Sequence, residues 1–107
     1  MRPGGQPNMQ QLMKQAQKMQ QQMAAAQQQL AETEVTGSAG GGLVTVVASG
    51  TGDVLRVKID PSVVDPEDVE TLEDLIMLAV REAADAAKAL TEKTMGPLAG
   101  GLGLPGF

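Results

Sequence analysis

The sequence predicts an α+β fold: a long N-terminal helix, a three-stranded antiparallel meander and a long C-terminal helix, between disordered termini. Near both ends of the 107-residue chain, apolar residues recur every three or four positions, which indicates amphipathic helices. The segment between them is rich in β-branched residues and glycine, which indicates short strands joined by turns. Residues 1–7 and 96–107 are rich in Gly and Pro, so we expect one ordered domain over residues 8–95.

The first helix is predicted over residues 8–33, with Asn8 as its N-cap. Its apolar residues follow a heptad pattern, and Lys14 and Lys18 fall at the outer f and c positions. The e and g positions are glutamine except for Met13. This apolar seam packs either on the chain's own core or on a second copy. The a and d positions are Met9, Leu12, Ala16, Met19, Met23, Ala26 and Leu30.

The predicted meander has two clear strands and one weaker strand. Residues 43–49 are mostly β-branched, and residues 54–59 alternate apolar and basic side chains, whereas residues 34–36 are only a possible strand. Gly50 and Gly52 are predicted to serve the turn between the two clear strands, at least one of them with positive φ.

The second helix is predicted over residues 66–94, with Asp65 as N-cap and Pro66 in the first turn. Short strands cannot cover the apolar stripes of two long helices, so the sequence predicts a homodimer. The second helix is rich in alanine, which lets another element approach closely. We expect four residues of its stripe to supply the dimer interface: Leu72, Ile76, Ala79 and Ala83.

The composition excludes most catalytic chemistry. The chain has no Cys and no His, which removes thiolate nucleophiles, imidazole bases and the usual zinc ligands. Its glycine-rich stretches lack the lysine and the following helix of a phosphate-binding loop. We therefore predict a protein that is not an enzyme, with no catalytic residue, cofactor, metal or small-molecule substrate. The sequence also lacks a signal peptide and any long apolar run, so we expect a cytoplasmic protein without membrane contact.

Five short stretches, in this order and spacing, resemble the YbaB/EbfC family of bacterial nucleoid-associated proteins over residues 9–94. The resemblance implies an α+β homodimer with long protruding helices that binds double-stranded DNA with limited sequence preference and associates with the nucleoid. The stretches are Leu12-Met13-Lys14-Gln15-Ala16-Gln17-Lys18-Met19-Gln20, Glu34-Val35-Thr36-Gly37, Gly42-Leu43-Val44, Ile59-Asp60-Pro61 and Leu72-Glu73-Asp74-Leu75-Ile76.

DNA binding of this kind needs basic residues on the helices. Lys14 and Lys18 share one face of the first helix, and Arg81 and Lys88 lie two turns apart on the second, so these four are the predicted DNA contacts. Arg81 and Lys88 are also spaced for ordinary i,i+4 ion pairs with Asp85 and Glu92.

The net charge favours an alternative function. The chain has 8 basic and 13 acidic residues and a formal charge of −5, which opposes binding to a polyanion. The alternative is a dimeric protein–protein interaction module linked to replication or repair machinery, without direct DNA binding.

Overall fold

A computed structural model describes the backbone of residues 5–101 and the side chains of residues 9–96. Helix α1 (Gly5–Glu32) is followed by strands β1 (Glu34–Ala39), β2 (Val44–Ser49) and β3 (Val54–Ile59) and by helix α2 (Val69–Gly101). The three strands form one antiparallel sheet in the order β1-β2-β3. This confirms the predicted α+β order and the meander.

The helices begin and end at other residues than the sequence predicted. Helix α1 begins at Gly5 instead of Asn8, and it accommodates Pro7 because this residue lies in the first turn, where its missing N–H has no intrahelical partner. Helix α2 continues to Gly101 through Gly96 and Pro97, which lower helix stability without forbidding the helix. Residues 5–7 and 96–101 were predicted to be disordered, but they lie within the two helices. The rest of both predicted disordered termini, residues 1–4 and 102–107, lies outside the described residues.

The start of α2 shows which aspartate caps the helix. Asp68 accepts hydrogen bonds from the backbone N–H of Thr71 at 3.3 Å and from the Thr71 hydroxyl at 2.7 Å. Asp65 instead accepts from the backbone N–H of Glu67 at 2.9 Å, within a turn before the helix. The N-cap is therefore Asp68, and α2 begins three residues later than predicted.

The core is small and lies between α2 and the sheet. Val44 and Val46 of β2 are fully buried, as is Ala79 of α2, and Ala83 is 1% exposed. Gly37 of β1 lets the helix come this close: a Cβ added there would overlap the carbonyl oxygen of Ala79 and the backbone nitrogen of Ala83. Strand β1 extends through Gly37 to Ala39, instead of ending at Thr36 as predicted, because its last three residues pair with β2.

Of the four residues predicted for the dimer interface, all pack against the core of their own chain. Ala79 and Ala83 lie in the chain's own core, where β1 leaves them almost no surface for a second chain. Leu72 and Ile76 are half-buried against the same core. The small alanines allow a close approach, as predicted, but the element that approaches belongs to the same chain.

Both helices extend beyond the sheet at the β2–β3 turn. The Gly50 N–H donates to the Leu30 carbonyl at 2.9 Å, and the Thr91 hydroxyl donates to the Gly50 carbonyl at 3.0 Å. Beyond this junction the main neighbour of α1 is α2, and the last described residue of α1 that is buried in that direction is Ala26. The protein is consequently elongated, with extents of 80 × 27 × 16 Å.

We call residues 9–29 of α1 and the part of α2 after Leu90 the arm, and the sheet with the rest of α2 the body. The arm tip is residues 9–18 of α1, whose side chains are all exposed. Helix α2 ends at Gly101, eleven residues after Leu90, and eleven residues before Leu30 on α1 is Met19. Since the two helices run side by side from the junction, the described part of α2 extends to near the level of Met19 and does not reach the tip.

Candidate nucleic-acid interface

Charge is distributed very unevenly between the arm and the body. The first 31 residues contain three basic and no acidic residues, whereas residues 32–107 contain five basic and thirteen acidic ones. Seven of the carboxylates lie between Asp60 and Asp74, around the start of α2. The described part of α1 before Glu32 therefore carries only positive charge, on a helix that projects away from an acidic body.

Lys14 and Lys18 are both exposed on the arm tip, one helical turn or about 6 Å apart along the axis. The buried side chains of α1, Ala26 and Leu30, lie on another side of the helix, so packing leaves both ammonium groups in water. Neither lysine forms an ion pair in the described part of the chain. Four exposed glutamines share their side of α1: Gln10, Gln11, Gln17 and Gln21.

Lys88 stands at the base of the arm, three residues before Thr91, and it is exposed. Its predicted ion pair with Glu92 is not formed, and neither is the pair between Arg81 and Asp85. Lys88 is therefore free to contact a ligand that lies along the arm.

Arg81 lies elsewhere, in a body groove of about 410 Å³ between α2 and the end of β1. Glu82 and Asp85 line the same groove, so Arg81 has two carboxylates as neighbours. Counted along the helices, Arg81 is about 40 Å from Lys14, on the opposite side of the junction. The structure therefore does not bring the four predicted DNA contacts into one surface.

The sheet contributes a structural ion pair instead of a binding site. Arg56 of β3 donates to both carboxylate oxygens of Glu34 of β1, at 2.8 and 3.2 Å, across the outer face of β2. The guanidinium holds the pKa of Glu34 below its ordinary value. Arg56 is therefore occupied within the protein and is a poor candidate for phosphate contact.

Lys93 is a further candidate contact, in addition to the four residues predicted from the sequence. It is exposed on α2 beyond Leu90, within the arm. Lys93 is identified by its position beyond the junction, which is formed by Gly50, Leu30 and Thr91. The sequence alone does not show where this junction lies.

Among the described side chains, no group of acidic residues is arranged to hold a metal ion. Neither of the two long helices is apolar enough along its described length to cross a bilayer.

Comparison with known proteins identifies the family of this chain. The model of the YbaB/EbfC DNA-binding family matches residues 5–102. A nucleoid-associated protein of Saccharopolyspora erythraea is 60% identical and one of Rhodococcus opacus is 58% identical, each over the full length of both chains. The crystal structure of an uncharacterized protein from Helicobacter pylori shares the fold, with a TM-score of 0.73 at 23% identity over 81% of this chain and 91% of that one. This chain therefore belongs to the YbaB/EbfC DNA-binding family.

Proposed function

We propose that the protein binds double-stranded DNA as a homodimer, with little sequence selectivity, and that it acts at the nucleoid in the cytoplasm. The observation that carries the proposal is the acid-free segment of α1 that projects from an acidic body with two exposed lysines. The relatives named nucleoid-associated proteins support the same assignment.

The net charge of −5 does not prevent this binding, because the charges are separated. Counted along the two helices, Lys14 lies about 50 Å from Glu73 at the start of α2. At 0.1 M salt, charges further apart than about 10 Å are largely screened from one another. A duplex on the arm is therefore attracted by the nearby lysines and repelled only weakly by the body.

The proposed contacts are phosphate contacts, which give affinity without reading the sequence. Lys14 and Lys18 form the first row, and the exposed glutamines beside them donate hydrogen bonds without adding negative charge. Lys88 and Lys93 form a second row on α2. Arg81 contacts the duplex only where DNA continues past the arm over the body, beside Glu82 and Asp85.

The homodimer is supported by apolar side chains that the chain leaves exposed on β3. Helix α2 packs mainly on β1 and β2, and Ile59 is the β3 residue that packs against the described core. Val54, Leu55 and Val57 are therefore 51, 47 and 46% exposed, although Val57 pairs directly with the buried Val46 and faces the same side of the sheet. We propose that a second chain covers β3, so that each dimer presents two arms.

The experiment that tests DNA binding replaces Lys14 and Lys18 by glutamine and measures affinity for random-sequence duplexes over a range of salt concentrations. If the dimer neutralises about five phosphates, log K falls against log salt with a slope near −4 to −5. The double variant removes four lysines per dimer, so its slope flattens by about 2 to 4 and all duplexes lose affinity alike. Glutamine preserves helix propensity, so the loss does not come from a melted helix.

The matched control replaces Lys58 and Arg81 by glutamine, which removes the same charge from the body. It retains most of the affinity and of the slope if the arm is the contact surface. Equal losses in both double variants would contradict a specific role of the arm. A parent protein that binds no duplex even at low salt would favour the protein–protein interaction module, for which the acidic body is the available surface.

A further inference from the structure

The arm tip has an apolar side that nothing in the described chain covers. Met9, Leu12 and Met13 are 65, 61 and 63% exposed, and Ala16 beside them is exposed as well. The seam to which they belong is buried further along, at Ala26 and Leu30. The described end of α2 lies near the level of Met19, so among the described residues no other element packs beside the amphipathic helix of the tip.

We propose that the arm tip is a self-association surface, on which the apolar side of residues 9–16 packs against the same side of a tip from another dimer. The contact is separate from the β3 surface proposed for the dimer itself. It joins dimers through their arms, so that the occupant of the tip is a second copy of this chain.

The heptad pattern favours an identical helix as the occupant. Met9, Leu12, Ala16 and Met19 keep the a and d spacing that two helices of the same kind share when they pack side by side. The flanking e and g positions of this segment, Met13, Gln15 and Gln20, carry no charge. Two identical tips therefore meet without like-charge repulsion at the seam, although each tip is positively charged.

The positions of the lysines also favour the tip of a second copy as the occupant. Lys14 and Lys18 lie at f and c, outside the seam, so an acidic partner helix on the apolar side would find no basic side chain to pair with. An apolar partner that is neutral at its edges fits this surface, and the tip of another copy has that composition.

Tip pairing leaves the lysines of both tips facing outward. If the proposed DNA binding is correct, each of the paired tips holds a duplex on its outer side, and the assembly bridges two duplexes. The seam that remains exposed is shorter than the three or four heptads of a stable coiled coil, so free tips pair weakly. Several tips along two bound duplexes pair more strongly, because each pairing raises the effective concentration of the next.

The first test uses no DNA and measures the mass of the full chain by sedimentation over a wide concentration range. The parent protein forms species larger than its dimer as concentration rises. The double substitution Leu12→Gln and Met13→Gln weakens this association at least tenfold while helix content is unchanged. The control Leu78→Gln removes an apolar side chain that is 53% exposed on the body, and it leaves the association intact. Equal behaviour of the parent and the tip variant, or an equal loss in the control, would overturn the proposal.

The second test measures capture of a free duplex by beads that carry an immobilised duplex and bound protein. The tip variant keeps the parent's affinity for a single duplex but captures the second duplex at least fivefold less well. A variant that bridges as well as the parent would count against tip pairing. If the parent binds no DNA, the proposed function fails, whereas the sedimentation result still decides the self-association.

A deletion of residues 102–107 distinguishes tip pairing from coverage of the tip by the chain's own C-terminal residues. Tip pairing requires that the deleted protein associates as strongly as the parent. Association that appears only after the deletion would mean that these residues cover the tip within one chain, which would overturn the proposal.

Discussion

Gly37 and Gly52 both favour glycine, but for different reasons. Gly37 lies within β1, where the backbone of α2 occupies the space of a side chain. Gly52 lies in the β2–β3 turn with φ of 97°, and the space around it is open. The sequence predicted the positive φ in this turn. It did not predict the role of Gly37, because a close approach between two elements is a property of the fold.

The two glycines therefore respond differently to alanine. Gly37→Ala forces α2 away from β1 and costs about 3 kcal/mol, at the upper end of overpacked core substitutions. Gly52→Ala pays only for a left-handed backbone and costs about 1 kcal/mol. Urea unfolding at one fixed protein concentration measures both values. A Gly37→Ala protein as stable as the Gly52→Ala protein would contradict the close packing of α2 on β1.

Lys14 and Lys18 illustrate how much of the candidate site the sequence contains. Their exposure follows from the heptad phase, since a residue at f or c faces away from a seam at a and d. The helical pattern of α2 predicts in the same way that Arg81 is exposed, yet Arg81 lies in the body groove beside Glu82 and Asp85. Its distance from Lys14 depends on where the helices cross the β2–β3 turn, which no pattern within one helix determines.

At the scale of elements, aspartate side chains accept hydrogen bonds from backbone N–H groups in the segment between β3 and α2. Asp60 follows β3 and accepts the Ser62 N–H at 2.9 Å, which caps the short 3₁₀ turn Pro61–Val63. Two further aspartates, Asp65 and Asp68, follow within eight residues, and aspartate is a residue type that is favoured at the N-cap of a helix. The sequence predicted a cap in this segment. The choice of Asp68 depends on where α2 meets the sheet, so the helix start was predicted three residues too early.

The cap at Asp60 makes stability depend on pH. The Ser62 N–H lowers the pKa of Asp60 in the folded protein, so the carboxylate stabilises the fold above its unfolded pKa of about 3.9. This contribution is lost as pH falls through the lower folded pKa. We expect Asp60→Asn to lower the melting temperature at pH 6, because the neutral amide is a weaker acceptor than the carboxylate. The difference between variant and parent shrinks below pH 4.

Thermal melts of the parent and the Asp60→Asn protein at several pH values measure this difference. Glu34→Gln is the matched comparison, because Arg56 lowers the pKa of Glu34 in the same direction. Both differences shrink in acid if the two carboxylates act as described. A difference for Asp60→Asn that stays constant from pH 6 to pH 3 would show that the capping carboxylate contributes no pH dependence.

At the scale of the whole molecule, an elongated chain with a small core leaves many apolar side chains exposed, and two groups of them form the proposed contact surfaces. One is the arm tip, and the other is the part of β3 that is exposed beside α2, at Val54, Leu55 and Val57. The sequence predicted that the apolar stripes exceed what one chain can cover. It assigned the dimer interface to α2, because the alanine-rich stripe has the same pattern whether it meets β1 of its own chain or a second copy.

Val57→Lys tests the proposed dimer surface. In a single chain Val57 is 46% exposed, so lysine there changes the stability of the fold by no more than about 0.5 kcal/mol. In a dimer that covers β3, the same lysine buries an unpaired charge and the chains separate. Sedimentation at micromolar concentration is expected to give the dimer for the parent and 11.1 kDa for the variant, with unchanged circular dichroism.

The same variant connects the dimer to DNA binding. A separated chain presents one arm instead of two, so it neutralises about half as many phosphates, and the salt slope falls from about −4 to −5 to about −2. Val64→Lys is the control, since Val64 is 54% exposed outside the sheet and carries the same added charge. The control remains dimeric and keeps the parent's slope. A Val57→Lys protein that stays dimeric would remove β3 from the interface, and a monomer with the full slope would mean that one arm makes all the contacts.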